Sequence, residues 1–188
     1  IVQLWYDTEN KVMEAIENKT LVPINQYLKA FYRYGILFIE LPSGRRLAYP
    51  KARLTEHDKF PGRKKIVFEG RNSTTKQWGL IDTYGGKLVE NIVQATARDC
   101  LAYAMLNLDA SGYEIVMHVH DEVVIEVDEN ADELENVDRI MGQEIPWACT
   151  VLVMRRRLPA GRAADVAAGG WSCAAADVLG GRTAAGTS

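Results

Sequence analysis

Apolar residues recur along the chain with two periods, and these periods predict where helices and strands lie. Residues 1–18 and about 87–108 carry apolar side chains at helical spacing, so each segment is predicted to form a helix. Residues 36–41 and 45–49 are predicted to pair as a hairpin, because the Pro-Ser-Gly between them suits a tight turn. A short strand is predicted at 66–70. The combination predicts an α+β fold, with a small antiparallel sheet backed by helices.

The most regular alternation lies between Tyr113 and Val127. It predicts two short strands folded back on each other, with His120, Asp121 and Glu122 at the bend. A rigid hairpin that presents two adjacent carboxylates beside an imidazole is a way for a protein to position a Mg²⁺ ligand. One face of the hairpin is predicted to be apolar, and its side chains are those of Tyr113, Ile115, Met117, Val119, Val123, Ile125 and Val127.

After the hairpin the chain divides into an acidic helix and a tail of different composition. Residues 130–141 are predicted to be helical, with a solvated acidic face. Residues 150–188 contain ten Ala, six Gly and five Arg, without an amphipathic period. We therefore expect 149–188 to be a disordered or weakly helical tail, derived from a shifted reading frame or a cloning junction. Because position 1 is Ile and not an initiating Met, we expect the chain to be a piece of a longer protein.

Charge is segregated along the chain although the net charge is only −3. Residues 42–78 contain ten Lys or Arg against three acids, and residues 112–144 contain eleven acids against one Arg. A basic segment beside an acidic one suits an enzyme that neutralises a phosphodiester backbone and collects Mg²⁺. The alternative is a solvated basic loop and an acidic surface helix.

The cysteines and the hydropathy indicate the compartment. The three cysteines are far apart and have no metal-binding spacing, which is typical of a reduced cytoplasmic protein. No apolar run is long enough to cross a bilayer, so we expect no membrane partner.

Several polar side chains are candidates for contact with nucleic acid. Lys87, Asn91, Gln94 and Arg98 are spaced to form one stripe on the second predicted helix. Long amide and cationic side chains can donate hydrogen bonds to minor-groove acceptors that every base pair offers. The alternative for this stripe is a solvated helix face.

Other candidates lie in the basic segment. Arg45 and Arg46 begin a predicted strand, where they either contact phosphate or form a solvated strand end. Trp78 has two possible roles, a base-stacking residue or a buried anchor, and the buried anchor is the favoured interpretation. Candidate contacts to the phosphate backbone are Arg63, Lys64 and Lys65.

Three of these segments resemble family A DNA polymerases, the group that includes bacterial DNA polymerase I and many phage replicases. Residues 118–124, HVHDEVV, resemble motif C of that family. Residues 44–50, GRRLAYP, resemble the Gly-Arg-Arg-x-x-x-Pro stretch that precedes it. Residues 87–105 resemble the helix between the two, and the three segments occur in the family's order. Residues 29–35 only superficially resemble motif B, because the spacing is wrong and the required Arg is missing, so we reject that match.

The resemblance implies roles for individual residues. Asp121 would bind the catalytic metals, with Glu122 beside the metal site and His120 near the primer terminus. Gln94 would contact the duplex near the primer terminus, whereas Glu90 stands where bacterial polymerase I has Asn, which leaves the role of Asn91 open.

The resemblance also implies a fold, a reaction and partners. Residues 1–148 would be the C-terminal portion of a polymerase palm, which is a small antiparallel sheet backed by helices. The reaction would extend a primer-template DNA from deoxynucleoside triphosphates (dNTPs), with two Mg²⁺ ions at the reacting phosphate. The second metal-binding carboxylate and motif B would lie in the missing N-terminal part of the same polymerase. We therefore expect this chain alone to be inactive.

Two other functions remain possible from the residues alone. His118 and His120, with Asp121 or Glu122, have ligand types that suit a zinc hydrolase. The basic stretch from 45 to 65 would also suit a nucleic-acid-binding module without catalysis.

Overall fold

The computed structural model describes residues 2–58, 60–128 and 133–148. The described residues form two compact units, an N-terminal unit that ends at Ala95 and a C-terminal unit that begins at Thr96. The predicted tail at 149–188 lies outside the described residues. The elements in chain order are α1 (Val2–Asn18), β1 (Leu21–Pro23), β2 (Lys29–Arg33), β3 (Ile36–Glu40), β4 (Arg46–Pro50), β5 (Arg53–His57), β6 (Phe60–Arg71), β7 (Trp78–Thr83), α2 (Gly85–Ala110), β8 (Glu114–Val119), β9 (Glu122–Glu126) and α3 (Leu134–Met141).

The N-terminal unit contains a four-stranded antiparallel sheet in the order β1-β2-β3-β4. Helix α1 confirms the predicted first helix, and it packs on β1 and β2 and buries Val12, Ala15 and Ile16. The buried side chains of the sheet include Leu37 and Ile39, two apart on β3, which is the period-two pattern of a strand with one buried face.

The predicted β3–β4 hairpin is confirmed. Glu40 pairs with Arg46 at the turn, and Gly44 adopts φ +84°, a conformation in which glycine lacks the steric penalty of other residues. Residues 29–33 form strand β2, so this segment is not the helix that motif B would require, in agreement with its rejection above.

A second antiparallel sheet in the same unit has the order β5-β6-β7. The sequence predicts only residues 66–70 as a strand here, whereas β6 covers Phe60–Arg71. Most of the additional strand residues are exposed, and backbone pairing with β5 and β7 holds them extended. Polar periodicity alone does not reveal such strands, because the hydrogen bonds of the ladder carry no sequence signal.

Helix α2 confirms the predicted second helix and extends it by two residues at each end. Its first residue, Gly85, lies against the main-chain carbonyl oxygen of Trp5, where a Cβ would overlap that oxygen. Glycine is therefore required sterically at this position. None of the helices in the described part of the chain is long and apolar enough to span a membrane.

The C-terminal unit contains the predicted hairpin, formed by β8 and β9. Its buried core comprises Cys100, Leu101 and Ala104 of α2 together with Ile145 and Ala148, and Val123 of β9 packs against this cluster. The predicted acidic helix is confirmed as α3 from Leu134 onward. Of its predicted solvated acids, Glu133 accepts hydrogen bonds from the Tyr113 hydroxyl (2.6 Å) and from Asn136 Nδ2 (3.3 Å). Residues 129–132 lie outside the described residues.

The predicted apolar face of the hairpin is wrong beyond Val116. A bulge there shifts the register, so that His118 pairs with Val123 and Val119 pairs with Glu122. Directly opposed residues place their side chains on the same face, so one extra residue exchanges the two faces of the strand. His118 therefore shares a face with the core-facing Val123, and Val119 is 44% exposed.

Candidate metal and nucleic-acid site

The bend of the β8–β9 hairpin is a two-residue connection formed by His120 and Asp121. Val119 pairs with Glu122 on either side of it, and His120 adopts φ +52°. Asp121 is exposed and Glu122 is partly buried at the start of β9. A carboxylate in this position is open to solvent on a hairpin anchored by a paired strand, which suits the hard oxygen ligands that Mg²⁺ prefers. The structure thus places the predicted metal ligand at an accessible tip.

Arg98 of α2 connects the helix to this bend. Its Nη1 donates to the main-chain carbonyl oxygen of His120 at 3.2 Å. Its Nη1 and Nη2 also lie 3.0–3.2 Å from the ring nitrogens of His118. The guanidinium therefore holds the end of β8 and the first residue of the bend. Binding of Arg98 to DNA stays a prediction, and in this structure its side chain is engaged within the protein.

The contact between Arg98 and His118 argues against the zinc hydrolase alternative. A guanidinium carries only hydrogen-bond donors and a positive charge, so the imidazole nitrogen it contacts acts as an acceptor and faces a cation. That environment opposes a Zn²⁺ ion on the same ring. Among residues 2–58, 60–128 and 133–148, no group of three His, Cys, Asp or Glu side chains is arranged to hold a metal ion.

The first half of α2, in the N-terminal unit, carries three residues of the predicted polar stripe. Lys87 pairs with Glu90 at 3.0 Å, with both side chains about half exposed. Asn91 Nδ2 donates to the hydroxyl of Tyr49 at 3.1 Å. Gln94 is exposed. Gln94 is thus presented to solvent, whereas the amide of Asn91 is directed to a buried tyrosine.

Tyr49 was not anticipated as a partner of this helix. It is 5% exposed and packs edge-on against the ring of Phe68, with ring centroids 5.0 Å apart. Burial raises the pKa of its hydroxyl, and the hydrogen bond from Asn91 acts in the opposite direction. The residues are 42 positions apart in sequence, so no local pattern indicates the pairing.

Arg45 and Arg46 point to different partners within the N-terminal unit. Arg45 Nη2 donates to the main-chain carbonyl oxygen of Ala95 at 2.7 Å, one residue after Gln94 on α2. Arg46 Nε donates to Glu40 Oε2 at 3.0 Å, and its guanidinium lies 5.4 Å from the centre of the Phe31 ring. Both side chains are exposed, and contact of either with phosphate stays a prediction.

The basic segment is partly neutralised by acids of the same unit. Lys64 pairs with Glu17 and Lys65 pairs with Asp58, each at 2.5 Å. The hydrogen bond that Lys65 donates to Asp58 raises the pKa of Lys65. Internal ion pairs of this kind reduce the positive charge that the segment presents to a polyanion.

The favoured interpretation of Trp78 is wrong. The residue is 67% exposed at the start of β7, so it is not a buried anchor. In the described part of the chain, β7 is an edge strand of its sheet.

Sequence comparison gives this geometry a context. The chain is similar to a DNA polymerase. It is 50% identical over 148 residues to the DNA polymerase of Bacillus phage SP02, and the match covers 79% of this chain and 22% of the phage protein. The chain thus spans about a fifth of the length of that relative. No protein-family model matches the sequence, and no solved structure matches it.

Proposed function

We propose that this chain is part of a family A DNA polymerase and that Asp121 is one of its ligands for catalytic Mg²⁺. The observation that carries the proposal is the 50% identity over 148 residues to a phage DNA polymerase. A match covering 79% of a 188-residue chain must include the β8–β9 hairpin, because too few residues remain on either side to exclude it. The exposed Asp121 at the bend of that hairpin is consistent with the role that motif C implies.

The reaction is the extension of a primer strand on a template from dNTPs. When bound, Mg²⁺ supplies Lewis-acid stabilisation of the charge that develops on the reacting oxygens. The carboxylate of Asp121 holds the metal, and Glu122 lies beside it at the start of β9. His120 is near the primer terminus in this proposal. Because the bend is fixed by strand pairing and by Arg98, the ligand is positioned before substrate binds.

The duplex near the primer terminus is contacted by Gln94. Its exposed amide both donates and accepts, so it can bind minor-groove acceptors of any base pair. Lys87, Arg45 and Arg46 are exposed cations that add affinity through phosphate without reading sequence. Contact of this kind suits an enzyme that copies every template.

The isolated chain is proposed to be inactive. A two-metal site needs carboxylates from at least two separate elements, and among the described residues no cluster of three metal-binding side chains is present. The second carboxylate is proposed to come from the N-terminal part of the same polymerase. The phage relative, about five times as long as the matched segment, has room for that part.

A chimera tests the proposal. Residues 1–148 replace the matched segment of the Bacillus phage SP02 polymerase, and primer extension is measured with Mg²⁺ and all dNTPs. We expect activity in the chimera and none in the isolated chain. Asp121→Asn in the chimera should lower the rate by at least about 1,000-fold, because it removes a charge at the reacting centre. Asp128→Asn is the matched control, since Asp128 is also exposed near the hairpin.

Two results would contradict the proposal. An unchanged kcat in the Asp121→Asn variant would show that Asp121 is not a ligand for the catalytic metal. Equal losses in the Asp121→Asn and Asp128→Asn variants would indicate a general effect of charge on folding or DNA binding.

A further inference from the structure

A run of ten exposed residues, from 71 to 80, covers the end of β6, the turn that follows it and the start of β7. The run includes Arg71, Lys76 and Trp78 and contains no carboxylate. Trp78 is 67% exposed, which is unusual for the side chain with the largest apolar surface. A large exposed aromatic ring among cations and polar residues suggests a ligand that is both flat and anionic.

An acid on the same face of the sheet as Trp78 is paired with a cation. Glu69 of β6 pairs in register with Leu80, two residues after Trp78 on β7, and its carboxylate lies 2.8 Å from Lys51 Nζ. The hydrogen bond from Lys51 is the largest cause of the lowered pKa of Glu69. Lys51 therefore offsets a negative charge on the face that carries the indole.

Arg71 is placed beside the indole by strand register. Arg71 of β6 pairs directly with Trp78 of β7, so both side chains lie on one face of the sheet. Its Nε donates to the carbonyl oxygen of Lys76 at 3.0 Å, which uses only one of the five guanidinium donors. A cation and an aromatic ring are therefore neighbours on a strand pair.

The turn itself is preorganised. The side-chain oxygen of Asn72 accepts the main-chain N–H groups of Thr74 (2.8 Å) and Thr75 (3.1 Å). The main chain of Asn72 bonds to Gln77 at 2.9 Å and to Lys76 at 3.0 Å. These bonds hold the cation of Lys76 and the ring of Trp78 on one short rigid element, which lowers the entropy lost when a ligand binds.

We propose that Trp78 and Arg71 form a binding platform for single-stranded nucleic acid, on which one base stacks while the guanidinium contacts the adjoining phosphate. A protein partner fits less well, because the other residues of the run are polar or glycine and, within the run, only Leu80 adds apolar area on the same face. The platform is distinct from the metal-binding hairpin. Binding of nucleic acid to this platform requires neither Asp121 nor Mg²⁺. It can therefore be tested independently of the proposed polymerase activity.

The test is the affinity of the 188-residue chain for a fluorescein-labelled dT12 oligonucleotide, measured by anisotropy in EDTA. Trp78→Ala should raise Kd by about 5- to 150-fold, the range for loss of one base–aromatic stack. Trp78→Phe should restore most of the affinity, because a phenyl ring still stacks. Arg71→Ala should weaken binding and reduce the slope of log K against log salt by about 0.7, the value for one single-strand phosphate contact.

Two controls separate stacking from other effects. Leu80→Ala removes an apolar side chain that is 54% exposed on the same face, and it should change Kd by less than about twofold. An abasic dodecamer of the same charge should bind the wild-type chain and the Trp78→Ala variant equally. Circular dichroism melting of each variant checks that the fold is retained.

Several outcomes would overturn the proposal. They are undetectable binding of dT12 by the wild-type chain, equal Kd values for wild type and Trp78→Ala, or a Trp78→Phe variant as weak as Trp78→Ala. An equal effect of Trp78→Ala on abasic and natural oligonucleotides would also do so, because a stack requires a base.

Discussion

The guanidinium of Arg98 donates a hydrogen bond of 3.2 Å to the main-chain carbonyl oxygen of His120, the residue that precedes Asp121. The bond joins α2 to the bend that carries the proposed metal ligand. It makes Arg98 a positioning residue whose effect on Asp121 is transmitted through the backbone. The orientation of the carboxylate therefore depends on a helix residue that lies 22 positions before His120 in the chain.

Arg98→Ala should loosen this bend while leaving the remainder of the C-terminal unit folded. We expect a loss of about 1.5 kcal/mol in unfolding free energy, because an exposed charge-assisted hydrogen bond contributes at the low end of its range. Amide exchange of Asp121 and Glu122 should accelerate by a larger factor than exchange of Cys100 and Leu101. Arg98→Lys should show most of the same effect, since an ammonium lacks the fork that reaches both partners. Unchanged exchange at Asp121 would contradict the positioning role.

His120 should tolerate glycine better than alanine. Its φ of +52° lies in the left-handed region, where a Cβ contacts the following carbonyl oxygen and glycine does not. We expect His120→Gly to be more stable than His120→Ala by about 1 kcal/mol in chemical denaturation. At an exposed strand position such as Glu114, the alanine variant should instead be more stable than the glycine variant. An alanine variant as stable as the glycine variant would mean that the bend relaxes out of this conformation.

Asn91 and Gln94 should have separate effects although both lie on α2. Asn91→Ala removes the hydrogen bond to the buried Tyr49, so we expect a loss of about 1 kcal/mol in unfolding free energy. Gln94→Ala should leave stability within about 0.5 kcal/mol, because the side chain is exposed. In the chimera, Gln94→Ala should weaken binding of primer-template DNA by about fivefold, with the same factor for A·T-rich and G·C-rich duplexes. A sequence-dependent factor would contradict a minor-groove contact of this kind.

Tyr49 should make the stability of the N-terminal unit depend on pH in the alkaline range. Burial raises the pKa of its hydroxyl in the folded chain above the ordinary value near 10. Below about pH 10 the phenol is neutral in both the folded and the unfolded chain. Above about pH 10 the unfolded chain loses the proton first, because its pKa is the lower of the two. Stability should therefore fall as pH rises from about 10 through the folded pKa.

The measurement is urea denaturation of wild type and Tyr49→Phe from pH 9 to 11. Phenylalanine cannot ionise, so the decline attributable to Tyr49 should be missing in the variant. The difference between the two profiles removes the contribution of the other tyrosines. Parallel profiles above pH 10 would show that Tyr49 titrates alike in the folded and unfolded chains.

Much of the secondary structure was predictable, and the hairpins illustrate why. The Pro-Ser-Gly turn before Arg45 and the alternation around His120 each act within a few residues, so local sequence reports them directly. Strands β1, β2, β5 and β7 were not predicted, and β5 and β7 are held extended by pairing with β6. The sequence does not reveal whether a residue such as Trp78 is buried or exposed, and only the tertiary structure shows that it is 67% exposed.

The sequence by itself determined the two long helices, the β3–β4 hairpin and the position of Asp121 at a bend, because periodicity and turn chemistry are local properties. Only the tertiary structure decided which polar groups meet. The bulge at Val116 turned His118 toward Arg98, a residue 20 positions away, and the packing of α2 brought Asn91 to Tyr49 across 42 positions. Such contacts depend on register and burial summed over many residues, and no short segment of sequence encodes them.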